Sequence, residues 1–175
     1  MSRDYAPLIA QASRAANGKP SRDAAMQLAC DLVYDNFGLH TAGISRNGVA
    51  TKVSWIGFYE KTAGKDEMIL LARRDKPACS PLELHGMCGR CWKARAPFLI
   101  HDATRAAGGY IACDPKDKAE AVIPLFNTDG PCWGVFDADS YEPGAFDDAD
   151  IAGLTLLCRT LGLTSPAPAA ATVRL

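Results

Sequence analysis

The chain has 175 residues, of which 48% are hydrophobic, and its 19 basic residues nearly balance its 20 acidic ones. That size suits one domain with enough core to fold without crosslinks. The small net charge and the lack of a long apolar run argue against a nucleic-acid-binding or membrane protein. We also find no signal peptide. The sequence therefore predicts a cytoplasmic protein whose seven cysteines are free, catalytic or metal-binding rather than a disulfide framework.

The first part of the chain has helical patterns. Residues 1–20 are expected to form an N-terminal helical segment. Ser21 is a typical cap for a helix running from Ala24 to Phe37, which Gly38 can end. The main domain is expected to span 21–163, followed by a flexible tail over 164–175 that is rich in Pro and Ala.

A strand is predicted from Val53 to Tyr59, where β-branched and aromatic residues dominate. Because side chains alternate along a strand, Trp55, Gly57 and Tyr59 share one face. A glycine between two large aromatic residues either leaves room for a ligand or accommodates a neighbouring side chain. The sequence favours neither interpretation.

Four of the seven cysteines lie in the stretch from Lys76 to Cys113, and they are Cys79, Cys88, Cys91 and Cys113. Their neighbours include Pro, Gly, His, Lys and Arg, which suit loops and helix starts better than a packed core. Thiols in mobile backbone beside cations can ionise and approach one another. This stretch therefore predicts a redox site or a metal site.

The elements around this stretch are short. Leu39 to Thr51 is predicted to be a loop, and Met68 to Arg73 a second strand. A helix is expected from Gly86 to Ala96, and then a short strand from Phe98 to Ile100. The long loop from His101 to Lys118 indicates a functional segment.

The clearest hairpin of the chain follows that loop. Its strands are predicted from Ala119 to Phe126 and from Cys132 to Asp139, with a turn at Asp129-Gly130. Asp147 then caps a last helix that ends near Leu161. This order of elements predicts an α+β fold, with a central antiparallel sheet and helices on its faces.

Three carboxylates are expected on one face of this hairpin. Asp137 and Asp139 alternate onto the same face, and the turn at 129–130 places Glu120 opposite Asp139. A slip of the turn by one residue would instead pair Glu120 with Asp137. Acids this close predict at least one raised pKa or a cationic partner. They would suit a substrate ammonium, whereas the alternative is a solvated outer face of the sheet.

The Cys88-x-x-Cys91 motif has two further interpretations. It could form half of a zinc site, whose other ligands would come from Cys79, Cys113, His85 or His101. No second paired motif exists, so a redox role is favoured over zinc. No strand precedes the motif as in thioredoxin-type active sites, and Cys91 alone suits helix packing.

These residues resemble the free methionine-(R)-sulfoxide reductases, a family of GAF-domain proteins. The resemblance runs from about Ser21 to Leu161 and includes all three of the family's cysteines in order. Ligand-binding GAF domains generally lack this thiol set. The matching segments are Ser54-Trp55-Ile56-Gly57-Phe58-Tyr59, Lys76-Pro77-Ala78-Cys79, Gly86-Met87-Cys88-Gly89, Ile111-Ala112-Cys113-Asp114, Glu120 with Val122-Ile123-Pro124-Leu125, Gly134-Val135-Phe136-Asp137-Ala138-Asp139-Ser140 and Gly144-Ala145-Phe146-Asp147.

The resemblance implies a single GAF domain, with about six antiparallel strands in a sheet flanked by helices. It also implies an enclosed pocket in which Trp55 and Tyr59 lie against the substrate side chain. Glu120, Asp137 and Asp139 match the family's acids, which hold the amino group and the sulfoxide.

The same resemblance implies the roles of the thiols. Cys113 matches the nucleophile, Cys79 the usual resolving thiol, and Cys88 a third thiol whose role varies. A thiolate would attack the sulfoxide sulfur while an acid protonates the departing oxygen, giving methionine and a sulfenic acid. A second thiol would form a disulfide, which thioredoxin would reduce. This chemistry requires no metal or organic cofactor.

Two other functions remain open, namely a GAF sensor without turnover and a zinc-binding regulatory module. The sequence does not fix the preference for the R epimer, the physiological reductant or the resolving thiol among Cys79, Cys88 and Cys91. A homodimer is compatible with it, but the oligomeric state is not determined.

Overall fold

The computed structural model describes residues 2–46, 49–105, 113–166 and 170–175. In these ranges there are four helices: α1 (Ala6–Ala16), α2 (Arg22–Phe37), α3 (Met87–Ala94) and α4 (Asp148–Thr160). The strands are β1 (Ile44–Arg46), β2 (Val49–Thr51), β3 (Trp55–Lys61), β4 (Glu67–Arg74), β5 (Leu82–Glu83), β6 (Phe98–Ile100), β7 (Ala119–Phe126), β8 (Cys132–Ser140) and β9 (Val173–Arg174). Tyr110 to Ala112, which precede Cys113, lie outside the described residues.

Seven strands form one sheet in the order β5-β4-β3-β8-β7-β6-β9. Neighbouring strands are antiparallel except β6 and β9, which are parallel. The predicted α+β class is confirmed. The expected sheet of about six antiparallel strands differs in detail, because the edge strands β5 and β9 have only two residues each and leave no alternating pattern in the sequence.

Alternation along β3 divides the hydrophobic core into two clusters. Ile56 and Phe58 point to the face covered by α1, α2 and α4, where the Phe58 ring stacks on Phe136 with centroids 4.0 Å apart. Trp55 and Tyr59 point to the opposite face, which α3 and the cysteine-bearing loops cover. The sheet thus separates a packed helical layer from a face built largely of loops.

The helix boundaries follow from their caps. Ser21 Oγ accepts a hydrogen bond from the Ala24 backbone N–H over 3.2 Å, as predicted for α2. At α4, Asp147 and Asp150 form a reciprocal capping box. These acids sit in the first turn, where the helix dipole favours negative charge.

The N-terminal segment packs on the helical layer. α1 lies against α2 and α4. The buried Arg3 forms an ion pair with Asp150, with Nη1 and Oδ2 3.0 Å apart, and Tyr5 donates a hydrogen bond to the same carboxylate over 3.1 Å. A charge buried this deeply needs such a partner.

The segment from Leu39 to Thr51 was predicted to be a loop, and this is wrong for part of it. β1 and β2 pair there as antiparallel strands, with Ile44 opposite Thr51. Strands of three residues are too short to show alternation among the Gly, Asn and Ser residues of this segment.

The expected flexible tail over 164–175 is also wrong for its end. Val173 donates a backbone hydrogen bond to Pro97 O over 2.8 Å, and Leu175 donates one to Leu99 O over 3.1 Å. Strand β6 would otherwise present backbone groups without partners at the edge of the sheet, and β9 forms hydrogen bonds with them. In the described part of the chain, no helix is long and apolar enough to cross a membrane.

Candidate active site

The β7–β8 hairpin places three buried carboxylates on the loop-covered face of the sheet. Glu120 pairs with Asp139, as predicted, but the turn differs from the expected one. The Asn127 N–H bonds to Pro131 O around a loop of three residues, and a β-bulge between Leu125 and Phe126 restores the predicted register. Glu120, Asp137 and Asp139 are 4%, 6% and 8% exposed. Such burial rules out the alternative of a solvated outer face.

Burial and repulsion between neighbouring acids raise the pKa values of Asp137 and Asp139. Burial, the largest cause, raises the pKa of Asp137 to about 7. The pKa of Asp139 is also raised, first by burial and then by the charges of Asp137 and Glu120. Both shifts have the direction expected for acids that are buried close together.

The two aromatic residues stand beside these acids on β3. The rings of Trp55 and Tyr59 are tilted, with centroids 5.9 Å apart. A Cβ at position 57 would lie 2.3 Å from the Trp55 ring. Of the two interpretations of Gly57, accommodation of a neighbouring side chain is therefore correct, since Trp55 itself covers the glycine.

Both aromatic side chains also hold the loop that carries Cys79. Trp55 Nε1 donates to Lys76 O, and Tyr59 Oη donates to Cys79 O, each over 3.0 Å. Neither bond was expected from the sequence, where the two residues appeared only as surfaces for a substrate.

Cys79 and Cys113 are exposed residues on neighbouring loops, although protein atoms surround part of the Cys113 thiol. The sequence indicated that these thiols can ionise, but the surroundings of Cys113 oppose its ionisation. Its pKa is raised, first by burial and then by the charge of Asp137 and the proximity of Cys79. The cationic neighbours of Cys113 are visible in the sequence, whereas Asp137 and Asp139 come close to its sulfur only in the folded chain.

Cys88 and Cys91 lie on α3 and face different surroundings. Cys88 is buried, and its Sγ donates to Asp137 Oδ2 over 3.2 Å. Cys91 Sγ donates to the backbone oxygens of Ala96 and Val122. The two thiols of the Cys88-x-x-Cys91 motif therefore do not form a joint site. Cys91 packs in the protein interior, as one interpretation of the sequence held, and Cys88 contacts the buried acids.

The site consists of two adjoining pockets that are partly open to solvent, which we call the aromatic chamber and the acidic chamber. The aromatic chamber is lined by residues that include Trp55, Tyr59, Lys76 and Asp117. The acidic chamber is lined by residues that include Cys88 and Glu120. Both chambers share Cys113, Asp137 and Asp139. Every predicted site residue except Cys79 lines a chamber, and Cys79 lies next to Cys113.

Asp117 is a site residue that the sequence did not reveal. It is 4% exposed, lines the aromatic chamber and accepts a hydrogen bond from Ser54 Oγ over 3.1 Å. Burial raises its pKa to about 6, although the Ser54 bond and the charge of Lys76 lower it. An aspartate between two lysines in a loop gave no sign of this location.

An ion pair connects the two loops that carry the exposed thiols. Lys76 Nζ contacts both Asp114 Oδ2 and the Tyr141 hydroxyl. Tyr141 also donates to Asp114 Oδ2 over 3.2 Å. The Lys76 contact, as the largest cause, lowers the pKa of Asp114 to about 2. Lys76 lies three residues before Cys79, and Asp114 directly follows Cys113, so the pair brings the thiols together.

Known proteins share this architecture. A GAF domain family model matches residues 20–164. The free methionine-R-sulfoxide reductase of Saccharomyces cerevisiae is 31% identical over 104 residues, which are 58% of this chain and 57% of the yeast protein. The match thus spans less than two thirds of that relative's length.

Solved structures agree with this comparison. A Burkholderia vietnamiensis protein described as a GAF sensor is 32% identical, with a TM-score of 0.73 and 90% of each chain covered. The fRMsr of Staphylococcus aureus in complex with substrate is 26% identical, with a TM-score of 0.71, covering 92% of this chain and 97% of that one. The family model spans most of the chain, and these two solved structures cover 90% and 92% of it. The chain belongs to the GAF domain family.

Proposed function

We propose that the chain is a thiol-dependent reductase of free L-methionine-(R)-sulfoxide. The observation that carries this proposal is the place of Cys113, on the wall shared by the aromatic and the acidic chamber. Methionine sulfoxide has apolar side-chain methylenes that suit the aromatic chamber and an ammonium group that suits the acidic chamber. The names of the yeast and S. aureus relatives support the same reaction.

Substrate binding would prepare the nucleophile. Burial is the largest cause of the raised pKa of Cys113, and the charge of Asp137 is the next. A substrate ammonium beside the acids would neutralise that charge and lower the Cys113 pKa. Substrate binding would thus favour the thiolate.

The first chemical step transfers oxygen from substrate to enzyme. The Cys113 sulfur attacks the sulfoxide sulfur, and the S–O bond breaks as the oxygen passes to Cys113, giving methionine and a sulfenic acid. One carboxyl of the cluster can hold the proton that the sulfoxide oxygen needs, since burial raises the pKa values of both Asp137 and Asp139. The thiol proton of Cys113 replaces it on the carboxyl cluster, so the step conserves protons.

The second step uses Cys79. Its thiol attacks the sulfenic sulfur, water leaves, and a Cys79–Cys113 disulfide forms. The proximity of Cys79 to Cys113 supports this pairing over one with Cys88, whose thiol faces Asp137. An external dithiol such as thioredoxin would reduce the disulfide by exchange.

A thioredoxin-coupled assay with the separated R and S epimers of free methionine sulfoxide tests the proposal. We expect turnover of the R epimer well above that of the S epimer and of a buffer control. The relation to the B. vietnamiensis protein supports a second candidate, a sensor that binds without turnover. Calorimetric binding of the sulfoxide with no turnover would favour that candidate and refute the reductase.

A further inference from the structure

The acidic chamber combines a buried thiol with buried carboxyls. Cys88 Sγ, one oxygen of Glu120 and one of Asp137 all lie within 4.8 Å of one another, and all three residues are buried. They come from α3, β7 and β8, so three elements fix their positions. Of the described residues that line this chamber, none is Lys or Arg.

A second observation concerns Asp137. Its Oδ2 accepts from Cys88, but its Oδ1 is buried and receives no hydrogen bond from any described donor group. The neighbouring carboxyl of Glu120 can offer one only when it carries a proton. A buried carboxylate oxygen without a donor is costly, so this chamber requires a proton or a cation.

The donor set selects among cations. A thiolate with two carboxylates suits a borderline-soft ion such as Zn²⁺, whereas Mg²⁺ and Ca²⁺ prefer oxygen ligands alone. Tetrahedral zinc places its ligand atoms about 3.5 Å apart. Cys88 Sγ and Asp137 Oδ2 are 3.2 Å apart, close to this spacing, and the Glu120 oxygen lies within 4.8 Å of both ligand atoms.

We propose that Cys88, Glu120 and Asp137 form a reversible zinc site that overlaps the substrate site. Three protein ligands leave a fourth position open to water from the chamber. Zinc bound there occupies the place of a cationic substrate group, so it acts as a competitive inhibitor of the reduced protein. Only this competition depends on the proposed function, since metal binding itself requires no turnover.

Zinc uptake displaces protons from this site. The Cys88 thiol loses its proton to become a ligand, and the carboxyls lose any proton that they share. The charged and titratable groups near Cys88 are Glu120 and Asp137 among the ligands, and Asp139 and Tyr59 around them. The same chamber is also lined by three further titratable residues, Glu83, His85 and Cys113. Zinc affinity should therefore fall as the pH is lowered.

The test is calorimetry of the reduced full-length protein with zinc chloride, in buffers of different ionisation enthalpy. We expect one site per chain and release of at least one proton. Cys88→Ala and Glu120→Gln should each weaken zinc at least about 10-fold, since even indirect support of a metal ligand is worth that much. Cys91→Ala is the matched control, because it removes a buried thiol from the same helix and should bind zinc unchanged.

Two outcomes would overturn the proposal. One is the loss of zinc binding in Cys79→Ser with retention in Cys88→Ala, which would assign the metal to the exposed thiols. The other is a cobalt(II) complex of the wild type without thiolate-to-metal charge transfer, a measurement that needs no variant to fold. Competition is tested separately, by zinc titration with and without saturating methionine sulfoxide. If zinc binds and no turnover occurs with either epimer, the metal site stands and the reductase does not.

Discussion

The two faces of the sheet hold cysteines of different character. Cys158, on the helical face, is fully buried, and its pKa is raised by burial alone. For Cys113, on the loop-covered face, the pKa is raised first by burial of the thiol and then by the charge of Asp137. A ligand cannot reverse the burial of either thiol, whereas a cation can neutralise the acidic contribution at Cys113. Only Cys113 therefore has a pKa that a cationic ligand can lower in this way.

The largest expected effect contrasts these two thiols directly. Cys113→Ser should lower turnover of free methionine-(R)-sulfoxide by about 10³-fold or more, because it removes the proposed nucleophile. Calorimetry should show that substrate binding is kept. Cys158→Ala should retain turnover and lower the free energy of unfolding by about 1 kcal/mol, as expected for a small buried deletion. Equal loss of turnover in both variants would contradict the distinction.

A large effect is also expected from the substrate ammonium. N-acetylated methionine sulfoxide has no ammonium group to pair with the buried acids. Binding it leaves their charge uncompensated, so the site should discriminate strongly against it. We expect the acetylated compound to be reduced at least ~100-fold less efficiently than the free amino acid. The measurement is kcat/KM for both compounds in the coupled assay.

The matched variants for this measurement are Glu120→Gln and Asp139→Asn. Each should lower kcat/KM for the free amino acid and narrow the ratio between the two compounds. Equal rates for both compounds in the wild type would show that the acidic face does not recognise the amino group.

A smaller effect concerns stability and pH. Asp117 has a folded-state pKa of about 6, above the ordinary value of 3.8. Between these values the folded chain holds more protons than the unfolded chain, so the free energy of unfolding falls as the pH rises from about 4 to about 6. Asp137, with a pKa of about 7, extends the fall toward neutral pH.

Denaturant unfolding at several pH values tests this sign. Asp117→Asn should reduce the fall by an amount on the order of 1 kcal/mol, whereas Asp129→Asn, in the exposed hairpin turn, should leave it unchanged. A wild type that gains stability over this range would contradict the assignment of buried, proton-holding acids.

The smallest expected effect comes from the ion pair between the thiol loops. Lys76→Met or Asp114→Asn should slow formation of the Cys79–Cys113 disulfide by up to about 5-fold. The ion pair between these two side chains is partly exposed to solvent, and such pairs contribute at most about 1 kcal/mol. Lys116→Met is the control, because Lys116 approaches the same Tyr141 ring without contacting the Cys79 loop through a described bond. Rapid quenching with alkylation after one equivalent of substrate measures the rate.

The hairpin illustrates what the sequence could predict. The dipeptide Asp129-Gly130 located the turn, and alternation along the two strands placed the three acids on one face. The loop has three residues instead of two, and the predicted pairing of Glu120 with Asp139 is kept only because a β-bulge between Leu125 and Phe126 compensates for it. The capped ends of α2 and α4 were also predicted. Each of these features depends on residues that are close in sequence, so local chemistry determines them.

Asp117 and Cys88 illustrate what the sequence could not predict. Their roles depend on partners far along the chain, Ser54 and Asp137 respectively. The edge pairing of β9 with β6 has the same character, because two residues show no periodicity and the partner strand is distant. Such contacts follow from the assembled sheet and leave no local pattern.

The hydroxyl of Tyr59 ties the wall of the aromatic chamber to the backbone of an exposed thiol. The same side chain faces the chamber and donates a hydrogen bond to the carbonyl of Cys79. The Cys79 peptide is therefore anchored to a ring that any ligand in this chamber would meet, so the shape of the chamber and the position of the Cys79 backbone are not independent.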